Sequence, residues 1–196
     1  QLLLFKDDKV GLVYSNFYLF YEDSKKKIIF YNKNLKSGNI TLDLLKNYNV
    51  GILTTVIRKD FYTKLKEKFD ERFSIIGDFD LFLRLSKLYD FESIQKPLAC
   101  YRLHGGNLSI IRKEQEIEEL VIWLSENKCN LNASDIKNIQ KGINYKKFVN
   151  FKIEKNYKKC LEMVLSSKIN LFNIKHLILF FTPVILLKKF LWWHQD

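Results

Sequence analysis

The hydrophobic pattern of the first hundred residues alternates between strand and helix signals. Val10 to Asn16 is a short β-branched apolar run, and the apolar stretches FYLFY and KIIFY then flank a polar turn at Glu22 to Ser24. Such runs, bounded by turn residues, are typical of strands, so we predict a strand followed by a hairpin. The pattern also predicts a buried strand at Gly51 to Arg58, with helices at Thr41 to Asn47 and Lys59 to Lys68.

The strongest helical pattern lies between Asp78 and Tyr89. Leu81, Leu85 and Leu88 stand at positions i, i+4 and i+7, so a helix here would carry one apolar stripe. The segments FESI and LACYR, on either side of Pro97, follow as a predicted pair of strands.

Beyond Ser109 the strand signals stop and helical periodicity takes over. We predict three helices, at Ile111 to Glu126, Ser134 to Val149 and Ile153 to Ser166, with Ser134 as an N-cap.

The apolar tail from Asn170 to Trp193 is predicted to form two helices broken near Thr182-Pro183, a typical cap-and-first-turn pair. Its longest uncharged apolar stretch, Leu177 to Leu187, has 11 residues. A span of the bilayer needs roughly 20 residues. The tail is therefore expected to cover the core, lie on a membrane surface or bind a partner, and we favour the membrane surface.

Composition permits a packed core and locates the positive charge. Hydrophobic residues make up 47% and charged residues 28%, while Gly 7 and Pro 2 are low counts, which excludes a disordered or low-complexity chain. Of the net charge of +11, the residues from Asp135 to Lys189 hold 12 basic and 3 acidic side chains, a local balance of +9. That region needs an anionic partner or a solvated face.

Cysteine spacing and the start of the chain bear on its setting. Three distant cysteines favour neither a zinc site nor a disulfide framework, so we expect a reducing compartment. The start QLLLFKDDKV lacks a basic leader region and an initiator Met, so we expect the chain to begin inside a longer protein.

Three short motifs occur in a fixed order between Phe69 and Ser109: FDE at 69–71, DFDLFLRL at 78–85 and YRLHGGNLS at 101–109. In order and spacing they resemble the second half of family 2 glycosyltransferases, and VGLVYSN and GILTTVIRKD are similar to strands of that family. The resemblance covers Gln1 to Ser109. It implies an α/β fold: part of a GT-A, Rossmann-like mixed sheet with flanking helices at 1–109. The hydrophobic pattern adds an all-helical extension at 110–168 and an amphipathic tail at 169–196.

The resemblance has two departures. Gly77 stands where the family usually has a Glu, so that residue's supporting role is missing. The family's nucleotide-binding strands and its Asp-x-Asp metal motif would lie before Gln1. Asp7-Asp8 has the wrong spacing for that motif and is interpreted as a solvated loop pair.

The implied activity is inverting transfer of a sugar from a nucleotide-diphosphate sugar to a hydroxyl acceptor. A hydroxyl is a poor nucleophile, so a carboxylate must take its proton, and the resemblance gives that role to Asp78. On residue type alone, Asp78 is equally a plain N-cap. The leaving diphosphate needs a divalent metal or cations. The resemblance implies Mg²⁺ or Mn²⁺, held mainly by an Asp-x-Asp motif outside this sequence.

Other polar residues of the motifs have two interpretations each. His104 follows a strand in a glycine-containing loop, where the resemblance implies contact with the metal or the diphosphate; a lone loop histidine is more often simply exposed. Arg102 is a candidate diphosphate ligand or a surface residue. Asp80 lies four residues before Arg84, which favours a structural ion pair. His176 and His194 are interpreted as surface or interface residues.

The expected partners are the sugar donor, a saccharide or lipid-linked acceptor of bacterial envelope polysaccharide synthesis, and an anionic membrane surface. We expect the protein in the cytoplasm, peripheral on the inner face of the plasma membrane. Lys175, Lys188 and Lys189 beside Trp192 and Trp193 suit a helix at headgroup level. The competing hypothesis is a non-catalytic basic module that binds anionic membrane or nucleic acid. No helix-turn-helix, RRM or KH signature is present, so we do not expect nucleic acid as a partner.

Overall fold

The chain folds as a mixed α/β protein in two units. A computed structural model describes residues 1–166 and 178–183, and it divides the chain into Gln1–Arg112 and Lys113–Asp196. The first unit contains β1 (Val10–Tyr21), β2 (Lys27–Ile29), α1 (Thr41–Lys46), β3 (Val56–Ile57), α2 (Lys59–Lys64), α3 (Gly77–Ser86), β4 (Asp90–Leu103) and α4 (Leu108–Ile111). Short 3-10 turns at Leu2–Lys6 and Ile52–Thr54 complete it.

β1 is the central strand of a four-stranded mixed sheet. It pairs in parallel with β4 along its whole length and antiparallel with β3 and β2 on its other edge, at its beginning and end respectively. Residues of β1 are buried on both faces, which explains its nearly continuous apolar sequence. The predicted strand and the second arm of the hairpin are confirmed, but the predicted first arm continues β1 instead of forming a separate strand.

The predicted pair of strands around Pro97 is wrong, because β4 runs through it as one strand with an irregularity. Ser15 of β1 pairs with Ile94, and the next partners are Phe17 and Ala99. Pro97 has no N–H to donate, and a bulge is where a sheet tolerates such a residue. Next to this irregularity, Gln95 of β4 holds the segment around Leu35. Its side chain accepts the Leu35 N–H and donates to the Leu35 carbonyl.

The predicted strand from Gly51 to Arg58 is also wrong in extent, since β3 has two residues and a 3-10 turn precedes it. The Thr54 hydroxyl donates to the Ser15 and Gly51 carbonyls, at 3.0 and 2.9 Å, so it turns the chain before pairing begins. Gly51 lies against the ring of Phe17, where a Cβ atom would be 2.5 Å from Phe17 Cε1. A bulkier residue would push the turn off the sheet.

Helix α3 confirms the predicted helix but not the whole of its apolar stripe. Leu81 and Leu85 are fully buried, whereas Leu88 is 62% exposed because the helix ends at Ser86. The helix at Thr41 is confirmed as α1, and the helix at Lys59 is confirmed but ends at Lys64.

The second unit is helical in its described part, as predicted. It contains α5 (Lys113–Asn127), α6 (Ala133–Ile153) and α7 (Tyr157–Ser166), with buried residues that include Trp123, Leu124, Ile139, Ile143, Phe148 and Cys160. The predicted N-cap Ser134 is wrong: Asn132 caps α6 by accepting the Asp135 N–H at 2.9 Å.

Most of the predicted tail lies outside the described residues, including His176, His194 and the lysines and tryptophans near the end. A helical turn is described at 178–181, and the Thr182 hydroxyl donates to the Ile178 carbonyl just before Pro183. Among the described residues, none of the helices has the length and apolarity that a membrane crossing requires.

Candidate active site

Asp78 lies in the first turn of α3 and is half-buried. It is not the N-cap that the sequence predicted, because the helix begins at Gly77 and Ile76 holds the cap position without a side-chain bond. The Asp78 Oδ1 atom accepts the N–H of Phe79 at 2.8 Å. The positive end of the helix dipole and this N–H both favour an ionised carboxylate at this position.

Tyr48, between α1 and Gly51, was not identified from the sequence and is the aromatic neighbour of Asp78. Its ring meets Phe79 edge-on at 5.4 Å and lies 6.5 Å from Phe82. Its hydroxyl is buried and makes no hydrogen bond of standard geometry among the described residues. Burial, and then the charge of Asp78 and a hydrogen bond to it, raise the pKa of Tyr48 well above its ordinary value. Tyr48 is thus packed on the residue next to Asp78, and its hydroxyl makes no hydrogen bond of standard geometry with that carboxylate.

Asp80 and Arg84 form the predicted ion pair, which is confirmed. Arg84 Nε and Nη2 donate to Asp80 Oδ2 at 2.9 and 2.8 Å, and Asp80 is buried. Arg84 also donates to the carbonyls of Glu67 and Lys68. These contacts make the pair a structural connection between α3 and the segment before it.

Gly77 is buried at the start of α3, next to Asp78. A Cβ atom added there would meet Phe69 Cδ1 at 3.7 Å, which is an ordinary van der Waals contact. The missing Glu of the family pattern is therefore not explained by a lack of room at the Cβ position.

The loop after β4 is held by Asn107, a role that its residue type and its place in the loop predict. Its Oδ1 atom accepts the His104 N–H at 2.6 Å, and its Nδ2 atom donates to Tyr101 Oη and to the Arg102 carbonyl, both at 3.2 Å. The His104 ring is exposed, and its Nδ1 atom accepts the Gly106 N–H at 3.1 Å. In the neutral ring this bond leaves the proton on Nε2.

The hydrogen bond at His104 Nδ1 bears on which of its two predicted ligands, the metal or the diphosphate, its Nε2 atom could bind. A histidine that binds a metal through Nε2 donates its Nδ1–H to an acceptor, whereas Nδ1 of His104 accepts. The Nε2–H group fits an anionic oxygen instead. Among the described residues, no group of three His, Cys, Asp or Glu side chains could hold a metal ion. The hydrogen bond at Nδ1 therefore favours an anionic oxygen over a metal ion as the ligand of His104 Nε2.

Arg102 is exposed at the end of β4. Its Nη1 atom lies 3.5 Å from Glu22 Oε1, and its guanidinium lies 5.8 Å from the centre of the Phe20 ring. Such an exposed pair is weak, so the guanidinium can exchange Glu22 for another anion at little cost.

The structure thus holds the predicted site residues on two different elements. Asp78 is fixed by α3 together with Tyr48, whereas Arg102 and His104 are fixed by the end of β4 and its loop. The matched motifs also predict that Asp78 opens onto a cleft with His104 on the same side, and this stays a prediction. Asp8 of the Asp7-Asp8 pair is fully exposed and lies 3.8 Å from Arg58, as expected for a solvated loop.

No protein-family model matches the chain, and no curated protein matches its sequence. The motifs and the geometry of these side chains are therefore the basis on which function is inferred.

Proposed function

We propose that this chain is the acceptor-side part of a family 2-like glycosyltransferase of the GT-A fold. Its activity would be inverting transfer of a sugar from a nucleotide-diphosphate sugar to a hydroxyl acceptor. The observation that carries the proposal is the half-buried Asp78 carboxylate in the first turn of α3, within the motif order FDE, DFDLFLRL and YRLHGGNLS. The division into a transferase part at 1–109, a helical extension at 110–168 and a tail at 169–196 belongs to the same proposal.

In this proposal Asp78 is the general base. The acceptor oxygen forms a bond to the anomeric carbon, the bond from that carbon to the diphosphate oxygen breaks with its electron pair, and Asp78 takes the acceptor's proton. A positioned base of this kind contributes about 10²–10⁴-fold to the rate. The helix dipole keeps Asp78 ionised, and the Asp80–Arg84 pair fixes the helix that carries it.

The diphosphate is the proposed ligand of His104 and Arg102. The Nε2–H group of His104 donates a hydrogen bond to a phosphate oxygen, and Arg102 adds positive charge when it releases Glu22. A Mg²⁺ or Mn²⁺ ion, held by an Asp-x-Asp motif outside this sequence, would neutralise charge on the leaving diphosphate. Because His104 accepts at Nδ1, we assign it to the diphosphate and no longer to the metal.

The proposed location is the inner face of the plasma membrane, with a lipid-linked or polysaccharide acceptor of envelope synthesis. The observation that favours it is the charge of α6 and α7: residues 135–166 contain eight lysines and three acidic residues. An anionic lipid surface attracts such a segment at about 1 kcal/mol per lysine near the surface. The same charge is the basis of the alternative, a non-catalytic basic module.

Steady-state kinetics of the full-length protein test the proposal. Asp78→Asn should lower kcat at least about 100-fold while sparing donor binding, because the amide cannot take a proton. Asp60→Asn is the matched control, since Asp60 is also an acidic residue in the first turn of a helix but lies outside the motifs. The 196-residue chain alone should show no turnover. An unchanged kcat in Asp78→Asn would remove Asp78 from the base role.

A further inference from the structure

The buried hydroxyl of Tyr48 needs a physical explanation. It makes no hydrogen bond of standard geometry among the described residues. A buried hydroxyl without a good partner is destabilising, so a phenylalanine at this position would be the simpler choice for packing alone. The hydroxyl is therefore expected to have a task that the packing does not require.

The Tyr48 ring is held firmly against the helix that carries Asp78. It packs on Phe79 and Phe82, two buried residues one turn apart on α3, and it is followed by the buried residues Asn49 and Val50. Phe79 is also the residue whose N–H binds the Asp78 carboxylate. The position of the hydroxyl relative to Asp78 is thus fixed by packing from two directions.

We infer that Tyr48 is a positioning residue, whose hydroxyl donates a hydrogen bond to the Asp78 carboxylate and fixes its orientation for the acceptor. This inference rests on the proposed function. Hydrogen bonds of catalytic groups are often long or poorly aligned without substrate and tighten when it binds. The buried Tyr48 hydroxyl, which has no hydrogen bond of standard geometry among the described residues, agrees with that behaviour.

The other acidic residues of α1, α3 and the segment before α3 are either paired with arginine or exposed. On α3, Asp80 is neutralised by Arg84, and in the preceding segment Asp70 is neutralised by Arg72. Asp43 on α1 is exposed. Burial and the nearby carboxylate raise the pKa of Tyr48, so the phenol stays protonated and remains a donor at neutral pH. A donor to the charged form lowers the pKa of a carboxyl group.

The direct test is ¹³C NMR titration of the Asp78 carboxyl in the 196-residue chain. Tyr48→Phe should raise the pKa of Asp78 by about one unit, because the ionised form loses a donor. Tyr14→Phe is the control: it also removes a buried tyrosine hydroxyl, but one that donates to the Lys36 carbonyl at 2.7 Å. An equal Asp78 pKa in the wild type and in Tyr48→Phe would overturn the inference.

The reciprocal variant covers the case in which Tyr48→Phe does not fold. In Asp78→Asn the pKa of the Tyr48 phenol, followed at its ¹³Cζ signal, should fall because the neighbouring negative charge is gone. A phenol that titrates unchanged in this variant would overturn the inference as well.

The pH profile of the full-length enzyme separates this inference from the proposed function. If both hold, the acid limb of kcat moves to higher pH in Tyr48→Phe by the same amount as the Asp78 pKa measured by NMR. If the NMR shift occurs and the acid limb of kcat does not move, Tyr48 does bond to Asp78 but Asp78 is not the base. The proposed function and the positioning role of Tyr48 are then both wrong. If neither changes, the contact itself is refuted.

Discussion

Arg84 binds Asp80 through two nitrogen atoms and, with the same guanidinium, holds the chain that leads into α3. Nε and Nη2 lie 2.9 and 2.8 Å from Asp80 Oδ2, and Nη1 lies 2.5 Å from the Glu67 carbonyl oxygen. Asp80 follows Asp78 by two residues, so the pair fixes the helix at the turn that presents the proposed base. A residue outside the chemistry can in this way decide how well the site is built.

Removing this guanidinium should destabilise the fold. Arg84→Ala is expected to lower the free energy of unfolding by about 3 kcal/mol, because the buried Asp80 carboxylate loses its cation. Urea denaturation followed by circular dichroism measures it. Arg72→Ala is the control, since the Arg72 side chain is 61% exposed in its pair with Asp70. This substitution should lower the free energy of unfolding by less than about 1 kcal/mol. Equal losses in the two variants would contradict the structural role of Arg84.

Two glycines of the first unit should respond to alanine in opposite directions. A Cβ atom at Gly11 would lie 2.5 Å from Tyr89 Cβ and 3.2 Å from Phe61 Cδ2, so Gly11→Ala should cost about 2 kcal/mol through overpacking. At Gly77 the nearest atom is 3.7 Å away, and Gly77→Ala should stabilise by about 0.5 kcal/mol by restricting the unfolded chain. Thermal denaturation of both variants shows whether each substitution stabilises or destabilises the fold. A destabilised Gly77→Ala variant would show that the start of α3 needs glycine.

The sequence predicted those features that depend on residues close together in the chain. The Asp80–Arg84 pair follows from a spacing of four residues on a helix, and the strand at Val10 and the three helices after Ser109 follow from periodicity. Asn107 as the organiser of its loop follows from residue type and loop position. Each of these needs no knowledge of distant contacts.

The features that were missed or wrong depend on contacts across the fold. The predicted strand loses its first residues because the Thr54 hydroxyl donates to the Ser15 carbonyl, 39 residues away in the sequence. Tyr48 carries no local signal, since only its packing on Phe79 brings it to Asp78. Asn132 and Ser134 are both good cap residues two positions apart, and residue type alone does not choose between them.

Acid should remove the contribution of the Asp70–Arg72 pair. Arg72 donates to Asp70 Oδ1 at 3.0 Å and to Oδ2 at 2.7 Å, and these bonds lower the pKa of Asp70 below its ordinary value. A lowered carboxyl pKa stabilises the fold fully above the unfolded pKa of about 3.9, and this stabilisation is lost as the pH falls through the folded pKa. The Arg72 side chain is 61% exposed, so the contribution of the pair is small.

Asp70→Asn should therefore be less stable than the wild type at pH 7, by less than about 1 kcal/mol, and this difference should shrink as the pH falls below about 3.9. Urea denaturation at a series of pH values measures the difference. Asp23→Asn, at an exposed turn, should show no such dependence. A difference that persists unchanged at pH 2.5 would mean that Asp70 acts through packing and not through its charge.

The proposed membrane location makes its own prediction for the tail. Lys188 and Lys189 stand beside Trp192 and Trp193, in a part of the chain outside the described residues. Lysines beside aromatic residues suit the headgroup layer of an anionic membrane. Each lysine near such a surface contributes about 1 kcal/mol, so neutralising two should weaken binding by about 2 kcal/mol, or about 30-fold.

Sedimentation of the 196-residue chain with vesicles that contain phosphatidylserine tests this prediction. The double variant Lys188→Gln, Lys189→Gln should bind about 30-fold more weakly at low salt, and the difference should shrink at high salt because exposed charges are screened. The double variant Lys25→Gln, Lys26→Gln removes the same charge from the exposed segment between β1 and β2 and serves as the matched control. Weaker binding by the tail variant alone would place the contact in the tail. Equal weakening by both variants would show that total charge governs binding and favour the general basic module. Unchanged binding by both would remove electrostatic attraction to the membrane from the proposal.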